Sequence, residues 1–331
     1  GSSPTQGTEL CTIVEYMFSL ETMYRMTACL RFADLLEKVA FNALPAQTTD
    51  DYLTRQYFQQ VNQIRIGRII NNFDCDHDVD NCFGLLTGYP CCTSNMHQGW
   101  PKFTQNSWYA TPDGGLAAVQ YVPTHVQAQV AGGVRVRFDE DTRYPFETKV
   151  TLSCTSIDAP AKFPLVLRVP SWSVGTTITV CGAEVGSSPD ENGLVRIERK
   201  WAEGDKVEIV FTPRISFDIW SENSRSIERG PLVYAYPIPS EKRKVVNAVD
   251  PQSQGPWYWE FEPKAPWNYA LIQTPSTGME ERYTVDESRL HGDFPFPWNE
   301  ENAPVSIEAE VTRALKWGEY NGMAGPLPYS L

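Results

Sequence analysis

Apolar residues near the start of the chain recur at the spacing of an α-helix. The first stripe consists of Ile13, Met17, Leu20 and Tyr24. Thr8 precedes this stripe as a candidate N-cap, and a second stripe within residues 30–44 ends at Pro45. The pattern predicts a helical hairpin whose broad apolar faces need partner helices to cover them.

Residues 45–106 lose this periodicity. They are polar and rich in turn-forming residues, and they include Gly88, Pro90, Gly99 and Pro101. We expect long irregular segments here, with the adjacent Cys91 and Cys92 in a loop. Long loops in compact domains tend to carry function.

From residue 107 the chain alternates apolar and polar residues with the period of a β-strand. The predicted strands are residues 116–122, 127–130, 134–138, 149–154, 163–170, 176–180, 194–198 and 206–212. Gly132-Gly133 marks a hairpin turn between two of them. The regular spacing favours an antiparallel β-sandwich, in which Cys154 and Cys181 would be small buried apolar residues.

The last part of the chain is rich in proline and tryptophan. We expect a second, irregular β domain there, with a further strand pair or edge within residues 305–315. The pattern therefore divides the chain into a helical part at residues 1–106, a β-sandwich at 107–240, and an irregular β domain with closing strands at 241–331.

The charge and the apolar pattern exclude some partners. The formal net charge is −13, which repels phosphate backbones and argues against nucleic-acid binding. No run of about 18 apolar residues occurs, so no transmembrane helix is expected. The oligomeric state stays open. So does the compartment, with a secreted or periplasmic location favoured slightly over the cytoplasm.

Aromatic residues are abundant, with 10 Trp, 15 Tyr and 15 Phe. Exposed aromatic rings suit a sugar-binding cleft, because the apolar faces of sugars stack on them. The same residues also fill the cores of β-sandwiches. Composition alone leaves both interpretations open.

Three cysteines and one glutamate could form a metal site. Glu9 and Cys11 lie at the predicted start of the first helix, and Cys91-Cys92 follow about 80 residues later. One carboxylate oxygen and three sulfurs would complete a tetrahedral zinc site, since soft sulfur donors select zinc over magnesium or calcium. The alternative is a set of unrelated buried thiols beside a helix-start carboxylate.

The acidic segment before these cysteines has two further features. Cys75 and Cys82 could form a disulfide in an oxidising compartment. Asp74, Asp76, Asp78 and Asp80 alternate as in a calcium loop, but the glycine and terminal glutamate of an EF-hand are absent. A solvated loop is therefore the preferred interpretation.

Several longer motifs resemble a known group of enzymes. In the first part they are PTQGTELC at residues 4–11, FNALPA at 41–46, CCTSN at 91–95 and HQGWPK at 97–102. Further along they are TRYPF at 142–146, LRVPSW at 167–172, WAEGD at 201–205 and RGPLVY at 229–234. In this order they resemble the β-L-arabinofuranosidases of glycoside hydrolase family 127 and its relative, family 146. The resemblance runs from residue 4 to about residue 240.

The resemblance implies a fold and a mechanism. The fold would be a partial (α/α)6 barrel followed by antiparallel β-sandwich domains. Glu9, Cys11, Cys91 and Cys92 fall on the zinc ligands of the group, and Cys91 falls on its nucleophile. The expected activity is retaining hydrolysis of an L-arabinofuranose-containing oligosaccharide or glycan.

Other residues near these motifs have open roles. Tyr57 falls where the group has a tyrosine near the nucleophile, which predicts a substrate contact, although a core or loop tyrosine is the alternative. Gln98 and Trp100 could line the sugar pocket or serve in packing. His97 is not expected to bind the metal, because four ligands are already present.

The chain departs from the group in one respect. The general acid glutamate of the group lies N-terminal to the Glu-x-Cys motif, which here starts at residue 9 and so places that glutamate before residue 1. The sequence therefore predicts the C-terminal part of a longer enzyme that by itself lacks this glutamate. The alternative is a non-catalytic carbohydrate-binding or structural remnant that zinc holds together.

Overall fold

The computed structural model describes residues 5–70, 76–221, 224–272 and 282–328. Within these ranges the α-helices are α1 (Leu10–Thr27), α2 (Leu30–Lys38) and α3 (Cys91–Gln105). A π-helical turn (Val39–Ala43) and a 3-10 turn (Pro45–Gln47) continue α2. None of these helices has the length and apolar character that crossing a membrane requires.

The predicted helical hairpin is confirmed. Helix α1 buries the predicted stripe, and it ends at Ala28, whose left-handed backbone (φ 52°) lets its N–H donate to the carbonyl of Tyr24 at 2.7 Å. The N-cap is Glu9 instead of the predicted Thr8. Thr8 lies in a short strand and is paired with Gln59, so it is not free to cap the helix.

Helix α3 corrects the prediction of an irregular loop around Cys91. Pro90 precedes the helix with φ −69°, a value that suits a helix start. Pro101 lies inside the helix and lacks a backbone donor. At Gly99, an added Cβ would lie 2.8 Å from Cδ2 of Leu44, so glycine permits the close approach of these two segments. Gly99, one of the residues that suggested a loop, is tolerated in α3 because the helix packs tightly against Leu44.

Most of the remaining described chain forms β-strands. The first are β1 (Gly7–Glu9), β2 (Phe58–Gln60), β3 (Phe83–Gly84) and β4 (Trp108–Ala110). Then come β5 (Leu116–Ala118), β6 (Thr124–Val130), β7 (Val134–Thr142), β8 (Lys149–Ile157), β9 (Ala161–Arg168), β10 (Thr176–Val180), β11 (Ala183–Val185), β12 (Leu194–Trp201) and β13 (Lys206–Phe211). The last are β14 (Ile215–Ile219), β15 (Arg225–Arg229), β16 (Leu232–Tyr234), β17 (Ser240–Val246), β18 (Trp257–Pro263), β19 (Tyr269–Leu271), β20 (Tyr283–Asp286), β21 (Ser306–Ala309), β22 (Val311–Arg313), β23 (Glu319–Tyr320) and β24 (Met323–Ala324).

Two of the sheets form the central β region. Their strand orders are β11-β10-β13-β8-β7-β6 and β12-β9-β5-β4. The pairs are antiparallel except β5 with β9, which is parallel. The hairpin predicted at Gly132-Gly133 is confirmed, because Val130 pairs with Val134 across it. Large aromatic side chains fill the core, among them Phe138, Phe163, Trp201 and Phe211.

One cysteine prediction in this region is wrong. Cys154 is buried in β8 as expected, but Cys181 is exposed in the turn that follows β10, at φ 50°. Its sulfur lies 3.2 Å from a carboxylate oxygen of Asp205. A turn that needs a left-handed residue places this side chain outside the sheet, where the burial pattern of a strand does not apply.

The partial (α/α)6 barrel is not confirmed. The described residues are strand-rich and contain only three α-helices. The C-terminal strands also reach back to the first part of the chain, because β18 pairs with β3 just ahead of α3. The predicted division at residues 106 and 240 stays a prediction.

A buried charged network joins α2 to the sandwich. Arg168 is 0% exposed and forms ion pairs with Asp34 at 2.6 Å and with Glu37 at 2.5 Å. Glu37 also accepts hydrogen bonds from the hydroxyl of Tyr144 at 2.5 Å and the indole of Trp172 at 3.0 Å. Buried charges of this kind are stable only when both partners are present.

Candidate active site

The structure brings the four predicted ligands together. The ligand atoms of Glu9, Cys11, Cys91 and Cys92 all lie within 4.8 Å of one another. The two sulfurs of Cys11 and Cys92 are 3.3 Å apart, and a carboxylate oxygen of Glu9 lies 3.8 Å from the sulfur of Cys91 and 3.9 Å from that of Cys92.

A short β-ladder places Glu9 and Cys11 on the same side. Glu9 ends β1 in an extended conformation (φ −71°, ψ 140°) and pairs with Phe58 of β2, and the backbone N–H of Leu10 donates to the carbonyl of Tyr57 at 3.0 Å. Inside a regular helix, residues two apart point in different directions. Because Glu9 precedes the helix, its side chain can turn towards Cys11.

The other two ligands begin α3. Cys91 and Cys92 are its first two residues, and Cys11 lies in the first turn of α1. Unpaired backbone N–H groups at a helix start favour negative charge nearby. Two helix starts therefore meet at the cluster, a setting that favours thiolates.

The arrangement fits a tetrahedral zinc ion. With Zn–S bonds of about 2.3 Å, tetrahedral geometry separates neighbouring ligand atoms by roughly 3.8 Å. The observed separations of 3.3, 3.8 and 3.9 Å are close to this value. The donor set of three sulfurs and one carboxylate oxygen also suits zinc. The donor set and the grouping of all four ligand atoms within 4.8 Å of one another therefore fit a metal site.

The three sulfurs differ in their exposure. Cys91 is exposed, Cys11 is partly buried, and Cys92 is fully buried. Burial raises the pKa of the Cys92 thiol to about 11, although hydrogen bonds from Cys11 and the positive charge of Arg55 oppose that rise. Burial raises the pKa of Cys11 as well. Cys91 is thus the most exposed of the three cysteines in the cluster.

Tyr57 lies beside the cluster. Burial raises the pKa of its phenol, and so do the negative charge of Glu9 and a hydrogen bond to Glu9. Gly88 packs on its ring at φ 71°, where an added Cβ would lie 2.4 Å from Cγ of Tyr57. Tyr57 therefore lies near the cluster that contains Cys91, and its role in substrate binding stays a prediction.

The other two predicted substrate residues lie further along α3. Trp100 comes nine residues after Cys91, or about 13 Å along the helix axis. Its indole donates to the carbonyl of Ala40 at 3.1 Å, and its ring contacts Trp298 with centroids 5.4 Å apart. His97 is exposed, with Nδ1 2.6 Å from the carbonyl of Thr93. The structure therefore surrounds Trp100 with packing contacts and does not bring it to the ligand atoms.

Gln98 contacts the cluster indirectly. Its side-chain amide donates to Oδ1 of Asn95 at 3.3 Å, and the Asn95 side chain forms a hydrogen bond with Cys11 that lowers the pKa of that thiol. Asn95 was not among the predicted site residues. Its position four residues after Cys91 would have placed it on the same helix face, had α3 been predicted.

Arg55 is a second residue near the cluster that was not predicted from the sequence. It is 3% exposed, and its guanidinium donates to the carbonyl of Tyr89 at 2.8 Å and to the hydroxyl of Thr93 at 3.1 Å. A further bond goes to the carbonyl of Thr87. The pattern around residue 55 carries no signal for this, because the acceptors lie more than 30 residues away.

The acidic segment is a solvated loop only in part, because Asp76 and Asp78 are exposed whereas Asp80 is buried. Asp80 is fully buried, accepts a hydrogen bond from the backbone of His77 at 3.2 Å, and has a carboxyl pKa that burial raises. Asp76 accepts from the hydroxyl of Tyr89 at 2.7 Å, and Asp78 pairs with Arg68 at 3.3 Å. Asp74 and Cys75 lie outside the described residues, and so does the predicted Cys75–Cys82 disulfide.

Comparison with known proteins identifies the central sheets. Residues 115–212 match the family model of the β-L-arabinofuranosidase GH127 middle domain. No curated protein sequence is significantly similar to the chain.

Solved structures extend the likeness over most of the chain. Ara127N-Se, a GH127 β-L-arabinofuranosidase from Geobacillus stearothermophilus T6, matches with a TM-score of 0.58 and 19% identity, over 94% of this chain and 47% of that one. A GH127 β-arabinofuranosidase matches with a TM-score of 0.58 and 16% identity, over 82% and 45%. A protein described as a glycoside hydrolase matches with a TM-score of 0.57 and 21% identity, over 70% and 38%.

These likenesses establish the fold, and the chain spans less than half the length of each solved structure. The family model covers residues 115–212, and one of the structural matches covers 94% of the chain. The resemblance between this chain and the GH127 β-L-arabinofuranosidases is therefore confirmed, with their middle domain at residues 115–212.

Proposed function

We propose that the chain carries the zinc site and the nucleophile of a retaining β-L-arabinofuranosidase of the family 127 and 146 type. The observation that carries this proposal is the cluster of Glu9, Cys11, Cys91 and Cys92, in which only Cys91 is exposed. A purely structural metal site would not need one sulfur open to solvent. The names of the GH127 relatives support an L-arabinofuranose-containing glycan as the substrate.

The four clustered side chains would hold the zinc ion. When bound, zinc would favour the thiolate form of the cysteines that coordinate it and so would supply a nucleophilic sulfur. The starts of α1 and α3 favour the same charge. Tyr57 fixes the Glu9 carboxylate through its hydrogen bond, and we propose that it also contacts the substrate.

The chemistry then follows the two-step logic of retaining glycosidases. The Cys91 sulfur attacks the anomeric carbon while the bond to the leaving oxygen breaks, giving a glycosyl-cysteine. Water then attacks the same carbon, the carbon–sulfur bond breaks, and the thiolate is restored. Two inversions give net retention. The leaving oxygen takes its proton from a general acid, which in the second step accepts a proton from the attacking water.

Gln98 and Trp100 have different places in this proposal. Gln98 orients Asn95, whose amide in turn bonds to Cys11. Trp100 borders the aromatic group that also contains Tyr52, Phe296 and Trp298. A sugar contact at Trp100 would require a substrate long enough to reach this group from Cys91.

An activated substrate tests the proposed nucleophile independently of the general acid. An aryl β-L-arabinofuranoside with a dinitrophenolate leaving group needs no protonation of the leaving oxygen. We expect the zinc-loaded chain to release about one equivalent of the phenolate in a burst, the signature of a covalent intermediate.

Cys91→Ser should abolish this burst. Cys181→Ser is the matched control, because it removes an exposed thiol that lies outside the cluster and should leave the burst unchanged. A burst that survives Cys91→Ser would exclude Cys91 as the nucleophile. Zinc binding without any burst would favour the non-catalytic alternative.

A further inference from the structure

Arg55 is a buried cation in unusual surroundings. Its acceptors within the described contacts are the carbonyls of Thr87 and Tyr89 and the hydroxyl of Thr93, and all three are uncharged. No carboxylate of the described residues forms an ion pair with it. A buried guanidinium without a counter-charge is costly, so a source of negative charge nearby is expected.

The candidate counter-charge is the ligand cluster. The carbonyl of Tyr89 lies 2.8 Å from the Arg55 guanidinium and 4.0 Å from the Cys91 sulfur, so the guanidinium lies close to the cluster. With zinc bound, three thiolates and one carboxylate carry four negative charges against the two positive charges of the metal. The one positive charge of Arg55 would halve the net negative charge that remains on the zinc-loaded cluster.

The same side chain also fixes the backbone that presents Cys91. Thr87 and Tyr89 precede the nucleophile, and Thr93 follows it in the first turn of α3. The backbone of Arg55 is itself anchored by two hydrogen bonds to Gly84, at 3.2 and 3.1 Å. Planar guanidinium groups can hold several acceptors in one geometry, which a lysine cannot reproduce.

We propose that Arg55 is a positioning residue for Cys91, which holds residues 87–93 in place and balances the negative charge of the zinc-loaded cluster. The inference rests on the proposed function, because it takes Glu9, Cys11, Cys91 and Cys92 as the zinc site. It goes beyond that proposal by assigning the support of this site to a residue outside the ligand set.

Zinc affinity of Arg55 variants tests this role. Groups that support metal ligands from behind contribute about 10–100-fold to metal affinity. We expect Arg55→Gln to weaken zinc binding by about this factor, measured by competition with a chelator under reducing conditions. Arg55→Lys keeps the charge without the three-way hydrogen bonding, and its affinity should fall between those of Arg55→Gln and the wild type.

The control is Arg65→Gln, which removes an arginine that pairs with Glu262 and Glu319 instead of the cluster. Its zinc affinity should equal that of the wild type. A merely structural Arg55 would lower the melting temperature of the zinc-free protein while leaving zinc affinity unchanged, and that result overturns the inference. If Arg55→Gln does not fold, the zinc affinity of Arg55→Lys is the test. An affinity equal to that of the wild type would then overturn the inference.

Zinc binding by the wild type and by the Arg55 variants distinguishes failure of the proposed function from failure of the proposed role of Arg55. A wild-type chain that binds no zinc under reducing conditions contradicts the proposed function. A wild type that binds zinc, together with Arg55 variants that bind it equally well, contradicts only the role of Arg55.

Discussion

Replacing Arg168 with methionine is expected to lower the free energy of unfolding by about 3–5 kcal/mol, the usual effect of removing one partner of a buried ion pair. Methionine fills much of the space, but it leaves Asp34 and the buried Glu37 without their counter-charge. Tyr144 and Trp172 still donate to Glu37, but neutral donors do not replace a cation. Urea unfolding followed by circular dichroism measures the change.

The loss of unfolding free energy caused by Arg168→Met should grow as pH rises. Burial already raises the pKa of Glu37, while Arg168 opposes that rise. Without Arg168, the folded protein holds this proton to a higher pH, whereas the unfolded chain releases it near its ordinary pKa of about 4.3. Stability therefore falls as pH rises between these two values. We expect a smaller difference from the wild type at pH ~5 than at pH ~8.

Arg135→Met is the control for this prediction. Arg135 pairs with Asp158, but both side chains are largely exposed, at 76% and 48%, so no measurable loss is expected. Equal stability changes for the two variants would show that the buried network around Arg168 contributes nothing beyond a surface pair.

The second large effect concerns zinc binding by Cys92→Ser. Cys92 is fully buried against Cys11 and Glu9, and serine offers a poor ligand at nearly the same volume. Because even supporting groups contribute up to about 100-fold, loss of this ligand should weaken zinc binding by at least about 100-fold. The zinc-induced rise in melting temperature should fall accordingly, since binding to the folded state stabilises it.

Cys154→Ser provides a matched control. Cys154 is also buried, but it lies in β8 outside the cluster, so this variant should keep the zinc affinity of the wild type. Because burial raises the pKa of Cys92 to about 11 and zinc binds thiolates, binding should release protons and tighten as pH rises. Wild-type affinity in Cys92→Ser would remove Cys92 from the ligand set.

Local patterns predicted the elements that local physics determines. The Gly132-Gly133 hairpin formed because alternating strands flank a turn that only a few residues can adopt. The stripe of α1 formed because helical spacing places its apolar residues on one face. The Glu9 and Cys11 pair also met as expected, because Glu9 precedes the helix.

The features that were predicted wrongly or not at all depend on tertiary contacts. Proline and glycine in α3 suggested a loop, but Gly99 is accommodated in the helix because it packs closely against Leu44. Asp80 looked solvated, but the fold buries it. Arg55 gave no signal, because its partners come from distant residues. The ligands themselves were found through the family resemblance, since spacing alone left unrelated thiols as an alternative.

The most direct test of the central claim is the site of covalent attachment. The zinc-loaded chain is mixed with the activated aryl arabinofuranoside, quenched in acid, and analysed by intact mass and peptide mapping. We expect one added pentosyl unit, located on Cys91. A pentosyl unit on another residue, or the same mass increase in Cys91→Ser, would contradict the assignment of Cys91 as the nucleophile.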